Sequence, residues 1–399
     1  MATDVTELRA KAVIVGAGPA GLVAACLLAQ ANIDTVCVAP ISAVADPRTV
    51  ALMDPSIRLL RSLDLWTDDL RQYCAPLKQL HLRDDTGNLV SAPDLYFSAE
   101  EANLEAFGWN TPLANLLPVL RVRAEMLGVR FVDDAVQTVT LNDASVELQL
   151  TGGQNVSAVF AVAADGRKSK LRSAAGISVR DWGFEQTALV TQFSHSRDHE
   201  GVSTEWHKVG GPFTTVPMPG LRSALVWMDR PAKIAALMQL SPKELARDIQ
   251  VQSHGTLGLI SDVRPAHAFP MHGVMAASFA KHRVYLVGEA AHAFPPIGAQ
   301  GLNMSFRDAG HMVDTVLAHD DAGSDRAMTD YDLLRQPDIK PRQMAISMMN
   351  RTLLAEVLPP HLARTLGLAA VAHIPPLRKF AINEGLSPSQ GLPFSMRAQ

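Results

Sequence analysis

The chain has 399 residues, room for two or three domains, and its 47% hydrophobic and 19% charged content allows a large core and excludes global disorder. A net charge of −4 leaves no electrostatic footprint for nucleic acid. Cys26, Cys37 and Cys74 lack CxxC spacing and read as packed, reduced thiols of a cytosolic chain without a signal peptide.

The stretch KAVIVGAGPAGLVAACLLAQANIDTVCVAP (11–40) predicts a strand at 12–15, a helix at 19–30 and a strand at 35–38, one βαβ unit. Its glycines and proline argue against a membrane span over 13–31. Gly16, Gly18 and Gly21 form GxGxxG between strand and helix. The first glycine permits the tight turn. The second lets the backbone approach a pyrophosphate, and the third lets helix and strand pack closely. With the helix N-terminus behind it, the turn points to a dinucleotide. The acidic residue expected at the end of the second strand is missing, because Val38-Ala39-Pro40 stands there, and Asp34 precedes the strand. Arg48 is the nearest polar candidate for the ribose or phosphate.

Further on, 113–127 has helical spacing, and 129–132, 136–141, 145–150 and 156–164 read as strands. The last ends at Asp165-Gly166, either an ordinary turn or a carboxylate placed to bond a hydroxyl or orient an arginine. From 187 to 229 short strands alternate with glycine and proline, which predicts an antiparallel sheet. A helix follows at 241–253, a buried strand at 284–287 and a helix at 302–319, and beyond Pro341 the chain reads as helical with breaks at 359–360 and 375–376. Gly288-Glu289 and the loop PPIGAQGLN (295–303) sit between strand and helix, where Gly298 and Gly301 let backbone lie flat against a planar ligand. His292 reads as a structural histidine. Neither HExxH nor Cys/His ligand spacing occurs, so no metal is expected.

GxGxxG, then Asp-Gly, then GEAAH…PPIGAQGLN together resemble the group A flavoprotein aromatic hydroxylases, the para-hydroxybenzoate hydroxylase fold. The segments DPRTVALMDPSIRLLRSLDLW (46–66), LEAFGWNTPLANLL (104–117), GPFTTVPMPG (211–220), SALVW (223–227), FPM (269–271) and PPLRKFAINEGLS (375–387) extend the likeness over almost the whole chain, to the ubiquinone-biosynthesis hydroxylases of the UbiH/UbiF type. The resemblance implies an α/β fold: a Rossmann-like FAD-binding domain (1–70, 98–180 and 275–340), an inserted antiparallel substrate domain (71–97 and 181–274) and a helical C-terminus (341–399).

It also implies FAD, with NAD(P)H as a transient co-substrate, and dioxygen chemistry through a C4a-hydroperoxyflavin that hydroxylates a small aromatic substrate, here a prenylated phenol. Gly16, Gly18 and Gly21 would hold the pyrophosphate, Arg48 the adenosine side, and Asp165, Gly288 and Glu289 the middle of the cofactor. The main chain of Val136 would meet adenine, and that of Gly301, Leu302 and Asn303 the flavin ring. Pro296 and Gly298 would lie beside the reacting edge. Phe213, Val216, Pro217, Met218 and Phe269 could wall a pocket or fill a sheet core, and no base is assigned among His207, His267 and Tyr96. The apolar stretch 353–374 is compatible with peripheral membrane or partner contact, or with helix packing. The alternatives are a hydroxylase of another small aromatic, separable by product analysis, and a scaffold subunit without activity, which would purify colourless.

Overall fold

The computed structural model describes residues 7–40, 46–87, 92–295, 299–354, 365, 367, 369–383 and 391–398, with side chains of 349–354 excepted. In chain order, β1 (Glu7–Val15), α1 (Pro19–Gln30) and β2 (Thr35–Val38) form the first βαβ unit. Next come β3 (Thr49–Met53), α2 (Asp54–Ser62), α3 (Asp68–Arg71), β4 (Ala75–Leu77), β5 (Gln79–Asp84), β6 (Leu95–Ser98), β7 (Gly108–Pro112) and α4 (Leu113–Met126). The central part holds β8 (Arg130–Val132), β9 (Val136–Leu141), β10 (Val146–Leu150), β11 (Asn155–Ala163), α5 (Lys170–Ala174), β12 (Val179–His195), β13 (Val202–Lys208), β14 (Gly211–Met218) and β15 (Arg222–Asp229). The remainder runs through α6 (Pro231–Leu237), α7 (Pro242–Gln252), β16 (Ile260–Ser261), β17 (His267–Ala276), β18 (Ala280–Lys281), β19 (Val284–Leu286), β20 (His292–Ala293), α8 (Gln300–Leu317), α9 (Asp325–Leu354) and α10 (Pro375–Ala381).

An eight-stranded sheet has the order β18-β19-β11-β1-β2-β8, with β9 and β10 attached beside β11. The strands β2, β1, β11 and β19 are parallel neighbours, so their carboxyl ends share one edge. Helix α1 is apolar almost all round because it packs against this sheet and against α4 and α8, with Leu22 to Leu28 buried.

The second sheet has nine strands in the order β20-β17-β12-β15-β14-β13-β5-β6, with β16 beside β12. The expected antiparallel pattern holds from β12 to β15, but β5 joins β13 in parallel, so the sheet is mixed. Strand β12 is 17 residues long, and its pairing with β17 runs from Val179↔Ala276 to Val190↔His267. The register is interrupted between Gly183 and Thr187, where Phe184, Glu185 and Gln186 oppose only Met271.

Trp206, Phe213 and Trp227 stack edge to face, at 5.5 and 5.2 Å between centroids, under α6 and α7 on one side of this sheet. Phe213 therefore belongs to that core and does not wall a pocket on the opposite face.

A small sheet, β3-β7-β4, was not legible as a unit in the sequence. Helix α9 begins earlier than the helical reading beyond Pro341, at Asp325, and runs unbroken through Pro337 and Pro341. Ion pairs of Asp338 with Arg335 (2.8 Å) and Arg342 (3.0 Å) bridge the turns where the prolines remove hydrogen bonds. The break at 359–360 lies outside the described residues.

Candidate active site

The loops that follow β1, β11 and β19 emerge side by side, bringing Gly16, Asp165 and Gly288 to one edge of the parallel sheet, the position where open α/β sheets bind ligands. Gly16 has φ +109, and a Cβ there would sit 2.2 Å from the Ala164 carbonyl oxygen. A Cβ on Gly21 would sit 2.0 Å from the Gly16 carbonyl oxygen. Both glycines are thus demanded by packing. Gly18 differs: among the described residues a Cβ there would meet nothing within 4 Å, at the uncapped start of α1. Gly288, at φ +60, lies against Ala20 of α1 and Ser305 of α8, which draws the late loop onto the first turn.

Asp165 caps α5 through one oxygen, Oδ2, which accepts from the Lys170 (2.7 Å) and Leu171 (3.4 Å) amides. Its Oδ1 is buried and has no partner among the described residues. Nearby, buried Arg172 donates to the carbonyls of Ala290 (2.8 Å) and Arg167 (2.7 Å), tying the Asp-Gly loop to the turn after β19. Glu289 is half-exposed and faces Arg167 at 3.6 Å. Arg48 grips Asp46 at 2.9 and 2.5 Å and lies 5.9 Å from the Phe269 ring. Burial pushes the Asp46 carboxyl up, but its bonds from Arg48 outweigh this and hold it below the usual carboxylate range. Val136 is buried and its carbonyl accepts from the Lys170 ammonium, so that oxygen is already engaged. Asp34 is paired with Arg130 at 2.7 Å beside the amino end of β2, the wrong end for a ribose.

At the other end, α8 begins after Ala299, at φ +54, with no side-chain cap. Gly301 is exposed and Leu302 half-buried. The Asn303 side chain is wholly committed within the protein. Its Oδ1 accepts from Met53 N (2.9 Å) and Ser56 Oγ (2.7 Å), and its Nδ2 donates to the carbonyls of Ala51 (2.8 Å) and Ala299 (2.6 Å). Only its main chain remains for a cofactor. Pro296 and Gly298 lie outside the described residues. Removing the four-bond staple with Asn303→Ala is expected to cost about 2–4 kcal/mol, read by urea denaturation, since buried partners are left unpaired.

Sequence reasoning missed Asp308. Fully buried on α8, it accepts from Gly288 N (3.0 Å), His292 Nε2 (2.7 Å) and Arg335 Nε (2.8 Å). This makes His292 the structural histidine expected. The only sequence signal was the proximity of Asp308 to the loop; nothing marked Arg335. Among the described residues no group of His, Cys, Asp or Glu could hold a metal ion.

FAD fits this arrangement. The open side of Gly18 and the start of α1 suit a pyrophosphate, the orphaned Asp165 Oδ1 calls for a donor such as a hydroxyl, and the start of α8 suits an electron-rich ring edge. Comparison with known proteins agrees. Residues 9–340 match the family described as FAD binding domain. Ubiquinone hydroxylase UbiL of Rhodospirillum rubrum is 30% identical over 96% of this chain and 91% of its own. The 3-demethoxyubiquinol 3-hydroxylase of Escherichia coli is 26% identical over 94% and 97%. Among solved structures, p-nitrophenol 4-monooxygenase PnpA from Pseudomonas putida superposes with a TM-score of 0.75 at 20% identity, covering 96% of this chain and 98% of that one. This chain belongs to the FAD-binding domain family and, within it, to the FAD-dependent monooxygenases that hydroxylate aromatic rings.

Proposed function

We propose that this chain hydroxylates a prenylated phenol, a precursor in ubiquinone biosynthesis, with NAD(P)H as a transient electron donor. The observation that carries the reading is the shared edge formed by the Gly16–Gly21 turn, Asp165 and Gly288, together with 30% identity over 96% of the chain to a ubiquinone hydroxylase. Bound FAD supplies the electron transfer and oxygen activation that no side chain can.

The residues divide the remaining work. The Gly18 turn and the start of α1 hold the pyrophosphate. Asp165 takes a cofactor hydroxyl on Oδ1, with Arg48 and Glu289 flanking the crevice. The main chain of Gly301, Leu302 and Asn303 meets the ring. Residues 71–97 and 181–274 contribute the sheet that covers it, and Val226, Met271 and Phe294 on its inner face exclude water.

A prenyl tail also needs an apolar approach. Among the described residues no helix is long and apolar enough to cross a membrane. Exposed Met344, Met348, Leu377 and Phe380 support a peripheral contact with a membrane surface or a partner near the C-terminus.

The test is anaerobic reduction of the FAD-loaded protein with NADH or NADPH, then oxygen mixing with a prenylated phenol in vesicles or a short soluble phenol. Mass spectrometry should find one added oxygen atom on the prenylated compound. Product from the short phenol alone would favour a different substrate, and product from neither would sink the reading.

A further inference from the structure

Strand β13 carries a polar cluster that the cofactor site does not use. Trp206 points into the core beneath α6 and α7, so alternation places Glu205 and His207 on the opposite face of the sheet. Glu205 Oε1 accepts from His207 Nε2 at 2.8 Å, and Oε2 accepts from Thr214 Oγ1 at 3.2 Å. His207 is 2% exposed, and its Nδ1 is buried with no partner among the described residues. With Nε2–H donated to the carboxylate, that atom is a bare acceptor.

The neighbours locate the cluster. On one side Glu205 is in register with Leu82, which packs in an apolar cluster that includes Ala299. On the other side Glu205 pairs with Thr214, and Thr214 with Val226, which packs with Phe294. Phe294 and Ala299 are the two ends of the loop that carries Pro296 and Gly298. The carboxylate therefore sits on the sheet face between the apolar cluster that includes Ala299 and the one that includes Phe294. The Glu205 side chain is 12% exposed, so it is sheltered without being sealed. A carboxylate on an apolar face is costly unless its lone pairs are used, and each oxygen here retains acceptor capacity.

We propose that Glu205 accepts the hydrogen bond of the substrate's ring hydroxyl, with His207 and Thr214 as positioning residues. This rests on the phenol-hydroxylase reading above. As the ring is attacked, the phenol O–H bond breaks and an O–H bond forms on the Glu205 carboxylate. The electron pair left on oxygen feeds the ortho or para carbon. That carbon takes one oxygen atom of dioxygen as a hydroxyl group, its own proton passes to the second oxygen atom as the ring regains aromaticity, and Glu205 returns its proton to the ring oxygen. NAD(P)H supplies the two electrons that convert the second oxygen atom to water.

The test uses 2-prenylphenol and its methyl ether, which lacks the donor. In anaerobic calorimetry on the FAD-loaded full chain, Glu205→Gln should weaken phenol binding about tenfold and leave ether binding unchanged. In turnover, kcat should fall about 100-fold, with partial recovery in Glu205→Asp. Unaltered phenol affinity and kcat, or equal losses for phenol and ether, would overturn the assignment. Should Glu205→Gln fail to retain FAD, Thr214→Val decides, because a lower kcat supports the assignment and an unchanged one overturns it. If the native protein hydroxylates no phenol, the functional reading fails and this assignment falls with it. If native turnover proceeds and the variants match it, only this assignment fails.

Discussion

Gly18→Val is expected to yield folded protein that purifies without flavin. Among the described residues the added side chain meets no atom within 4 Å of its Cβ, so they give the fold no reason to object. It occupies instead the space at the start of α1 where the pyrophosphate lies against backbone amides. Losing charge-assisted hydrogen bonds there costs about 3 kcal/mol or more, over a hundredfold in affinity. Flavin absorbance per protein should vanish while the far-ultraviolet circular dichroism persists. Stability must be compared with flavin-stripped native protein, because bound FAD itself raises the apparent stability. Gly21→Val is the contrasting case, since its Cβ would lie 2.0 Å from a backbone oxygen and the turn itself must yield. A Gly18→Val protein that keeps a full complement of FAD would remove this turn from the cofactor site.

The largest stability effect is expected at Asp308. Asp308→Ala leaves the Arg335 guanidinium, 0% exposed, without one of its two carboxylates and frees the amide of Gly288. Breaking such a buried pair costs about 3–5 kcal/mol. Burial acts to raise the Asp308 carboxyl, but the charges of His292 and Arg335 outweigh it and hold it below the usual range. A depressed folded-state value contributes stability that is fully present above the unfolded carboxylate value of about 4 and is lost as pH falls through the folded one. Urea denaturation at neutral pH should show the loss, and acid sensitivity from this group should disappear in the variant. Asp308→Leu with Arg335→Leu should cost less than the two singles combined. A single-variant loss below about 1 kcal/mol would show that the network is not what anchors the loop.

Both expectations reflect how unevenly the sequence disclosed the molecule. The unit from β1 to β2 was readable to the residue for α1 and β2, because GxGxxG, an Ala/Leu helix and a β-branched strand carry strong local signals. Strand β1 is longer than expected, since Glu7 to Lys11 alternates in exposure and lacks an apolar run. The three turns that gather Gly16, Asp165 and Gly288 were each visible, and so was their meeting. What they meet with was not. Asn303 looked like a backbone donor, yet its side chain holds β3 and α2 from 247 to 252 residues away. Arg335 and Glu205 carry no motif, because their roles come from partners distant in sequence. Parallel pairing of β5 with β13 was equally hidden, since a sheet edge accepts either direction and 5–8 residues of pattern do not say which.

The β12–β17 ribbon carries one further implication. Its ladder is in register at both ends and shifts register across Phe184 to Gln186. Neither anchored portion can slip by one residue without exchanging the inner and outer side chains along it. The bend of the ribbon is therefore concentrated in those three residues, of which buried Gln186 is itself tied to the Gly210 carbonyl at 3.0 Å. The two portions of the ribbon are thus locked separately, on either side of one short bend.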